Sequence, residues 1–272
     1  MSGLATAAVM LAAAVTVAQG NVFRVEVPSE LGLTAVTAEW REQSIPLVHD
    51  GNWTTVLGID LDDAPGEHVV NLTLVYVDGR ERQATTNIDV VAGEYPTTRL
   101  KVEPKYVELS AENQQRAARE REEINAVYAT VTPERLWSAP FEIPVAGVSG
   151  GRNFGHRRVF NDQPRAPHSG ADLTAATGTP ILATNRGRVV LAKNLFFSGN
   201  AVFLDHGQGI HSVYAHLSEV KVKVGAIVER GDVVGLAGAT GRVTGPHLHW
   251  GIRAQDARVD PFSLLEIDAG SD

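Results

Sequence analysis

Alternating apolar and polar residues between positions 21 and 94 predict a small β domain. In the segment 69–77, one face of a predicted strand carries four apolar side chains, Val70, Leu72, Leu74 and Tyr76. Asp78 and Gly79 then supply a strong hairpin turn, and His49-Asp50-Gly51-Asn52 supplies a second one. Short strands joined by such turns are typical of a sandwich of immunoglobulin-like size. We therefore predict a β-sandwich-like domain over residues 20–95.

The pattern changes between Pro104 and Pro133, where Glu, Gln, Arg and Ala predominate. Ser110 is placed to cap a helix that runs to about Ala129. Few residues of this segment are apolar, which favours a polar connector helix over a core element. We assign residues 96–136 to a helical linker.

From Phe141 onward the pattern again predicts β structure, interrupted by glycine-rich turns. The predicted strands are 181–183, 187–192, 201–205, 212–216, 233–237 and 247–252. Helices long enough for crossover connections are not predicted here, which argues against a doubly wound parallel sheet. The expected fold is therefore mainly β, and residues 137–272 form an antiparallel β-sheet domain.

The first residues have the character of an export signal. Positions 1–23 contain no charged side chain, and the apolar run from Leu4 ends in Thr16-Val17-Ala18, a pattern that a signal peptidase accepts. We predict a signal peptide at 1–19 and an exported protein of the periplasm or cell envelope. The run of about 15 residues is short for a membrane span, which needs roughly 20. An uncleaved N-terminal anchor is the alternative.

Composition narrows the chemistry and the partners. The chain has 272 residues and no cysteine, so disulfides and thiolate metal sites are excluded. Its net charge of −8 is uneven, because residues 1–137 carry 11 basic and 20 acidic groups, whereas the remainder carries 13 and 12. No basic stripe indicates a nucleic-acid partner. A metal site in this chain must use histidine and carboxylate ligands.

Four residues in two short segments provide such ligands. His168 and Asp172 lie four residues apart, and His247 and His249 lie two apart. Both spacings are even, so in an extended chain each pair points to one face. Three imidazole or carboxylate ligands with one position left to water are typical of catalytic zinc sites. These residues predict a zinc hydrolase, although the helical His-Glu-x-x-His motif is absent.

The segments around these residues carry a family resemblance. The motifs are Gly-His-Arg-Arg-Val-Phe-Asn at 155–161, Pro-Arg-Ala-Pro-His-Ser-Gly-Ala-Asp at 164–172, Val-Tyr-Ala-His-Leu-Ser at 213–218 and Thr-Gly-Pro-His-Leu-His-Trp-Gly at 244–251. In this order they resemble the M23 family, the LytM- and lysostaphin-type zinc peptidases of bacterial cell walls. The resemblance covers roughly the C-terminal half, and the front half resembles exported Gram-negative members.

The resemblance implies an activity and a set of roles. His168, Asp172 and His249 would hold one Zn²⁺ per chain in a groove, and His216 and His247 would be catalytic histidines beside it. The protein would be a metalloendopeptidase that uses metal-activated water to cleave peptide bonds in peptidoglycan, with the D,D-cross-link between stem peptides as the expected target. The other histidines are expected to be structural or exposed, including His206 at a turn.

Three alternatives accompany this prediction. Some M23-like domains are non-catalytic activators or scaffolds for other cell-wall hydrolases, but here every expected ligand is present. Phosphoryl transfer on a similar fold is disfavoured, because Asp172 would repel a phosphate. The charge contrast between the halves raises a further possibility, that the N-terminal region covers the groove within the same chain.

Overall fold

The computed structural model describes residues 9–10, 15–100, 109–138, 140–148, 151–160, 162–164 and 166–267. The N-terminal strands are β1 (Val9–Met10), β2 (Val15–Ala18), β3 (Val22–Val27), β4 (Leu33–Trp40), β5 (Gln43–Pro46), β6 (Val48–Asp50), β7 (Asn52–Gly58), β8 (Gly66–Tyr76), β9 (Glu81–Val91) and β10 (Thr97–Leu100). A helix, α1 (Ala111–Tyr128), follows.

The C-terminal half is again almost entirely β. Its strands are β11 (Arg157–Phe160), β12 (Gln163–Pro164), β13 (Ala171–Leu173), β14 (Pro180–Leu182), β15 (Gly187–Leu195), β16 (Gly199–Gly207), β17 (Ile210–Leu217), β18 (Glu219–Val220), β19 (Ile227–Val228), β20 (Val233–Leu236), β21 (Leu248–Ala254) and β22 (Ala257–Val259). A short helix, α2 (Pro261–Leu265), ends the described chain. The mainly β prediction is confirmed.

Two sheets form the N-terminal sandwich. One has the strand order β1-β9-β8-β4-β5, with β2 also paired to β9, and the other has the order β3-β7-β6. Their inward side chains form one buried cluster that includes Val25, Leu57 and Leu72. Along β8 the predicted alternation is observed, with Val70, Leu72, Leu74 and Tyr76 buried.

Strand β2 lies inside the segment predicted to be a signal peptide. Its residues pair in parallel with β9 from Ile88 to Val91, and Val17 is buried in the sandwich cluster. Residues 1–8 and 11–14 lie outside the described residues. If residues 1–19 are removed as a signal peptide, the mature chain lacks β2. If β2 is a strand of the mature sandwich, these residues are retained. The division into 1–19 and 20–95 stays a prediction.

The C-terminal domain is built on one antiparallel sheet of order β13-β21-β17-β16-β15-β19, with β22 paired to β21. A smaller sheet, β14-β20-β18, packs with it around a core that contains Trp250, Tyr214 and Leu204. All six strands predicted here are present to within a few residues at each end.

Helix α1 packs on the other face of this sheet. Ser110 caps it as predicted, accepting a hydrogen bond from the Asn113 N–H. Tyr128, with Ile124 and Val127, packs on a patch of the sheet around Phe203. The helix is polar over most of its surface, but its last turns pack as part of a small core. The described linker also contains a strand, because β10 pairs in parallel with β11.

The sandwich docks at the end of β21 where β22 begins. Asp60 accepts hydrogen bonds from the Arg258 guanidinium and from its backbone N–H at 2.7 Å. The Gln255 amide bonds to Val56 and Gly58 of β7. A Cβ on Gly58 would lie 2.8 Å from the Ala254 Cβ, so only glycine permits this approach. Among the described residues, no helix has the length and hydrophobicity to span a bilayer.

Candidate metal centre and adjoining cleft

Neighbouring strands bring the predicted ligands together. Asp172 on β13 is the register partner of His249 on β21. His168 lies in the loop before β13, and His247 lies just before β21, in an isolated bridge with Gly238. Asp172 and His249 are therefore on strands, His247 is in the bridge directly before the same strand as His249, and His168 is in a loop rather than on the strand of Asp172.

Three donor atoms converge at this point. The Asp172 Oδ1 lies 3.0 Å from the His168 Nε2 and 2.9 Å from the His249 Nδ1. The two imidazole nitrogens are 3.1 Å apart. His247 is farther away, with its Nε2 3.7 Å from the same carboxylate oxygen.

The donor set fits a zinc ion. Ligand atoms bound at about 2.0–2.2 Å in a tetrahedron lie roughly 3.3 Å from one another. The three donor separations of 2.9–3.1 Å are close to that value. Of the described residues, the only group that could hold a metal by this proximity is His168, Asp172 and His249. Two neutral imidazoles and one carboxylate are also the ligand types that zinc prefers.

Backbone carbonyls set which histidine nitrogens are free. The carbonyl of Asn153 lies 3.1 Å from the His168 Nδ1. The Nδ1 atoms of His216 and His247 lie 2.9 Å and 2.8 Å from the carbonyls of Thr240 and Gly245. A carbonyl oxygen only accepts, so each Nδ1 carries the proton. Each Nε2 then keeps its lone pair for the centre.

His249 is oriented the opposite way. Its Nδ1 faces Asp172, and its Nε2 faces the backbone of the Ser169-Gly170 turn. A Cβ on Gly170 would lie 2.8 Å from that Nε2 and 2.5 Å from the Trp250 carbonyl oxygen. The glycine between His168 and Asp172 is therefore a packing requirement of the centre.

Asn153 contacts two of the predicted metal ligands, and sequence reasoning missed it. Its side-chain Nδ2 donates to the Asp172 Oδ2 at 3.2 Å, and its Oδ1 accepts from the Asp172 N–H at 2.9 Å. Its carbonyl also accepts from His168, so one residue orients two donors. The signal available in the sequence was its position between two glycines, Gly151 and Gly155. In the structure both glycines have positive φ.

Burial and the neighbouring imidazoles shift the pKa of Asp172 in opposite directions. Burial raises the pKa of Asp172, but the close contacts of its carboxylate with the His168 and His249 imidazoles outweigh this effect and hold the pKa well below its usual range. Burial lowers the pKa of His249, and it lowers the pKa of His216 to about 4. At neutral pH the centre therefore offers an ionised Asp172 carboxylate, and the His249 and His216 imidazoles are neutral.

His216 completes the histidine cluster. Its ring centroid lies 4.9 Å from that of His247 and 6.0 Å from that of His249. The residue has φ of +66°, an unusual conformation for a side chain with a Cβ. His216 lies within β17, where the register with β16 shifts between Asn200 and Val202, and its N–H donates to the Ser198 carbonyl. This strained, irregular part of the strand directs the imidazole towards the centre.

The remaining histidines lie elsewhere. His206 is buried and bonds to the Arg186 carbonyl and the Ser212 hydroxyl, contacts that suit the structural role expected of it. His156 bonds to the Thr98 hydroxyl in the β10–β11 region. His211 is buried, and its Nε2 lies 3.9 Å from the Asp205 Oδ1.

A cleft adjoins the centre on the α1 side. It encloses about 340 Å³ and is lined by His249 and Ser169 at one end and by residues of α1 along one wall. The floor is the apolar sheet face around Phe203 and Val213. The centre therefore opens onto a cavity large enough to receive part of a peptide.

The whole chain resembles one solved structure closely. A Pseudomonas aeruginosa protein assigned to peptidase M23 superposes with a TM-score of 0.70 and 32% identity, over 94% of this chain and 96% of that one. The chain belongs to peptidase family M23. The model of Peptidase family M23 matches residues 166–261, which contain all five predicted site residues.

Curated M23 relatives match over the same part of the chain. The peptidoglycan DD-endopeptidase ShyA of Vibrio cholerae is 46% identical over 99 residues, which are 36% of this chain and 23% of that protein. The DD-carboxypeptidase/endopeptidase Mpg of Neisseria meningitidis is 40% identical over 97 residues, or 36% and 22%. The aligned region thus spans less than a quarter of either relative.

Proposed function

We propose that this protein is a zinc-dependent endopeptidase that hydrolyses peptide bonds in peptidoglycan, in stem peptides or in the D,D-cross-links between them. The observation that carries the proposal is the convergence of His168, Asp172 and His249 beside two further histidines at the mouth of a cleft. Relatives with DD-endopeptidase names support the substrate class.

In the proposed mechanism, His168, Asp172 and His249 would hold the metal through the three donor atoms that converge. When bound, zinc supplies Lewis-acid chemistry, which acidifies a water molecule and polarises the scissile carbonyl. Asn153 keeps Asp172 and His168 in position through its amide and its carbonyl. Its role is orientation of the ligands.

His216 and His247 are the proposed catalytic histidines. Each has its Nδ1 fixed by a backbone carbonyl, so each presents an Nε2 that can accept a proton from water. Once protonated, the same atom can donate to the developing oxyanion or to the leaving amine. Burial lowers the pKa of His216 to about 4, so its imidazole is neutral at neutral pH and its Nε2 lone pair is not occupied by a proton.

The predicted location and domain roles belong to the same proposal. Peptidoglycan lies outside the cytoplasmic membrane, so the enzyme must act as an exported protein of the periplasm or envelope. For cover of the groove by the N-terminal region, we propose only that α1 forms one wall of the cleft. The acidic sandwich docks at the far end of β21. Asn153, which holds Asp172 and His168 in position, belongs to the peptidase domain and not to the sandwich.

Digestion of purified sacculi tests the function directly. The protein should release muropeptides whose masses identify the bond cleaved, a chelator should stop release, and added zinc should restore it. His249→Ala should be inactive and free of zinc. Full release by this variant would contradict the proposal, and a wild-type protein without bound zinc or activity would favour the non-catalytic alternative.

A further inference from the structure

The cleft beside the metal centre has a mixed lining. Its floor is apolar, with Leu195, Phe203, Val213 and Ile252 from the sheet and Tyr128 from α1. Its rim is polar and includes Glu120, Arg121, Asn125, Ser169 and Arg253. An apolar floor with a few polar groups at the rim is the usual composition of a binding site.

The negative charge on this rim is already neutralised. The Glu120 carboxylate accepts a hydrogen bond from the Arg116 Nε at 2.7 Å. Its second oxygen accepts from the Phe196 N–H, also at 2.7 Å. Glu120 therefore has both oxygens engaged and presents no free carboxylate to the cavity.

The positive charge on the rim is only partly engaged. Arg253 lies over the Tyr128 ring at 4.9 Å and donates to the Asp256 carbonyl. Arg121, one residue after Glu120 on α1, is exposed, and within the described part of the chain it has no hydrogen bond or ion pair. The cavity that adjoins the candidate metal centre therefore has in its lining the guanidinium of Arg121, which is unpaired within the described residues.

We propose that this cavity is a subsite for a carboxylate of an anionic peptide, with Arg121 as the residue that binds it. The inference rests on the proposed peptidoglycan function and adds to it a recognition residue outside the family-matched segment 166–261. Stem peptides carry free carboxylates on several of their residues. A guanidinium pairs with a carboxylate through two parallel hydrogen bonds, which gives direction as well as charge.

The position of Arg121 defines what it contributes. It lies on α1, not on the sheet that carries the metal donors, so it acts on a part of the peptide away from the scissile bond. A contact of this kind binds ground state and transition state alike and is expected to change KM more than kcat. Because Arg121 is exposed, water screens the pair, and we expect a change of about 3- to 5-fold.

The test uses three variants of the full-length, zinc-loaded protein. Arg121→Gln removes the charge, and Arg121→Lys keeps it without the planar guanidinium. Arg119→Gln is the matched control, because Arg119 is an exposed arginine of the same helix that does not line the cavity. Kinetics are measured on a cross-linked stem peptide with free carboxylates and on the same peptide with its carboxylates amidated.

For Arg121→Gln we expect a KM raised about 3- to 5-fold on the acidic peptide, an unchanged kcat, and no change on the amidated peptide. Arg121→Lys should recover part of the loss, and Arg119→Gln should behave as wild type. An unchanged KM for Arg121→Gln, or an equal loss on both peptides, would overturn the subsite.

Calorimetric binding of an uncross-linked stem peptide separates this inference from the proposed function. If the wild type cleaves peptidoglycan but Arg121→Gln binds the acidic peptide as tightly as wild type, the subsite fails and the function stands. If cleavage is absent but Arg121→Gln weakens binding of the acidic peptide alone, the subsite stands and the function fails. No binding of the acidic peptide by wild type overturns the subsite.

Discussion

Two histidines separated by one residue have different surroundings in this chain. The Nδ1 of His249, a proposed metal donor, lies 2.9 Å from Asp172, whereas the His247 Nε2 lies 3.7 Å from it and the His247 Nδ1 is held by a carbonyl. His216 comes from another strand to stand beside His247. At the residue scale, the proposed metal ligands and the two proposed catalytic histidines are therefore neighbouring but separate groups of side chains.

Substitution should separate these groups. His216→Ala removes a proton acceptor but no proposed ligand, so we expect zinc to be retained and kcat to fall about 10²- to 10⁴-fold. Asp172→Ala should lose zinc and activity together. Metal analysis of both purified variants alongside kinetics is the measurement, and loss of zinc from His216→Ala would contradict this division.

We expect Asn153 to affect activity by increasing the affinity of the site for zinc. Asn153→Ala removes the amide that holds Asp172, and we expect zinc affinity to fall about 10- to 100-fold. Competition with a zinc chelator measures the affinity, and Asn71→Ala, an exposed position on the sandwich, is the control. Activity restored by excess zinc would support an orienting role, whereas unchanged affinity would rule it out.

At the scale of elements, α1 is the unit that shapes the cleft. Its last turns pack on the sheet through Tyr128, and Lys193 of β15 bonds to Glu123 at 2.7 Å. These contacts fix the helix as a wall beside the centre rather than as a separate connector. The polar surface of α1 therefore faces the cleft and solvent, and its apolar stripe faces the sheet.

A cross-link can test whether the wall must move. The chain has no cysteine, so Glu123→Cys with Lys193→Cys, joined by a short bis-maleimide, would tether α1 to β15 selectively. We expect the tethered protein to keep its activity on short stem peptides, because the cleft is already open. Activity lost on tethering, but kept in the untreated double variant, would show instead that α1 has to leave.

At the scale of the whole molecule, the sandwich and the peptidase domain share a buried contact. Asp60 and Arg258 pair across it, and Val22 and Val56 of the sandwich pack in the peptidase core. Burial raises the pKa of Asp60, but the hydrogen bonds from Arg258 outweigh it and lower the pKa below 3.8. The docking is therefore strongest when this carboxylate is ionised.

Asp60→Asn should lower the free energy of unfolding by about 3 kcal/mol at neutral pH, because it removes the buried one of the two carboxylates that pair with Arg258. The lowered pKa means that the contribution is present above about pH 4 and is lost as pH falls through the folded value. Urea unfolding of wild type and variant at pH 7 and pH 3 measures this. Asp62→Asn, at a more exposed partner of Arg258, is the control. If wild type and Asp60→Asn differed in free energy of unfolding by the same amount at pH 7 and pH 3, the stabilising role of the ionised Asp60 carboxylate would be contradicted.

The sequence by itself determined the elements and the donor types. Alternation of apolar residues gave the strands, Ser110 gave the start of α1, and the absence of cysteine limited the metal ligands to histidine and carboxylate. The family motifs also pointed to the five site residues. These signals are local, because each depends on residue types within a few positions of one another.

Only the tertiary structure decided which atoms meet. It brought Asn153 to Asp172, turned the His249 Nδ1 inward, placed Arg121 on the cleft and gave β2 a partner in the sandwich. None of these follows from spacing, since each joins residues distant in sequence through strand register and packing. Local patterns specify strands and helices, whereas a site is specified by how their surfaces fit together in the folded chain.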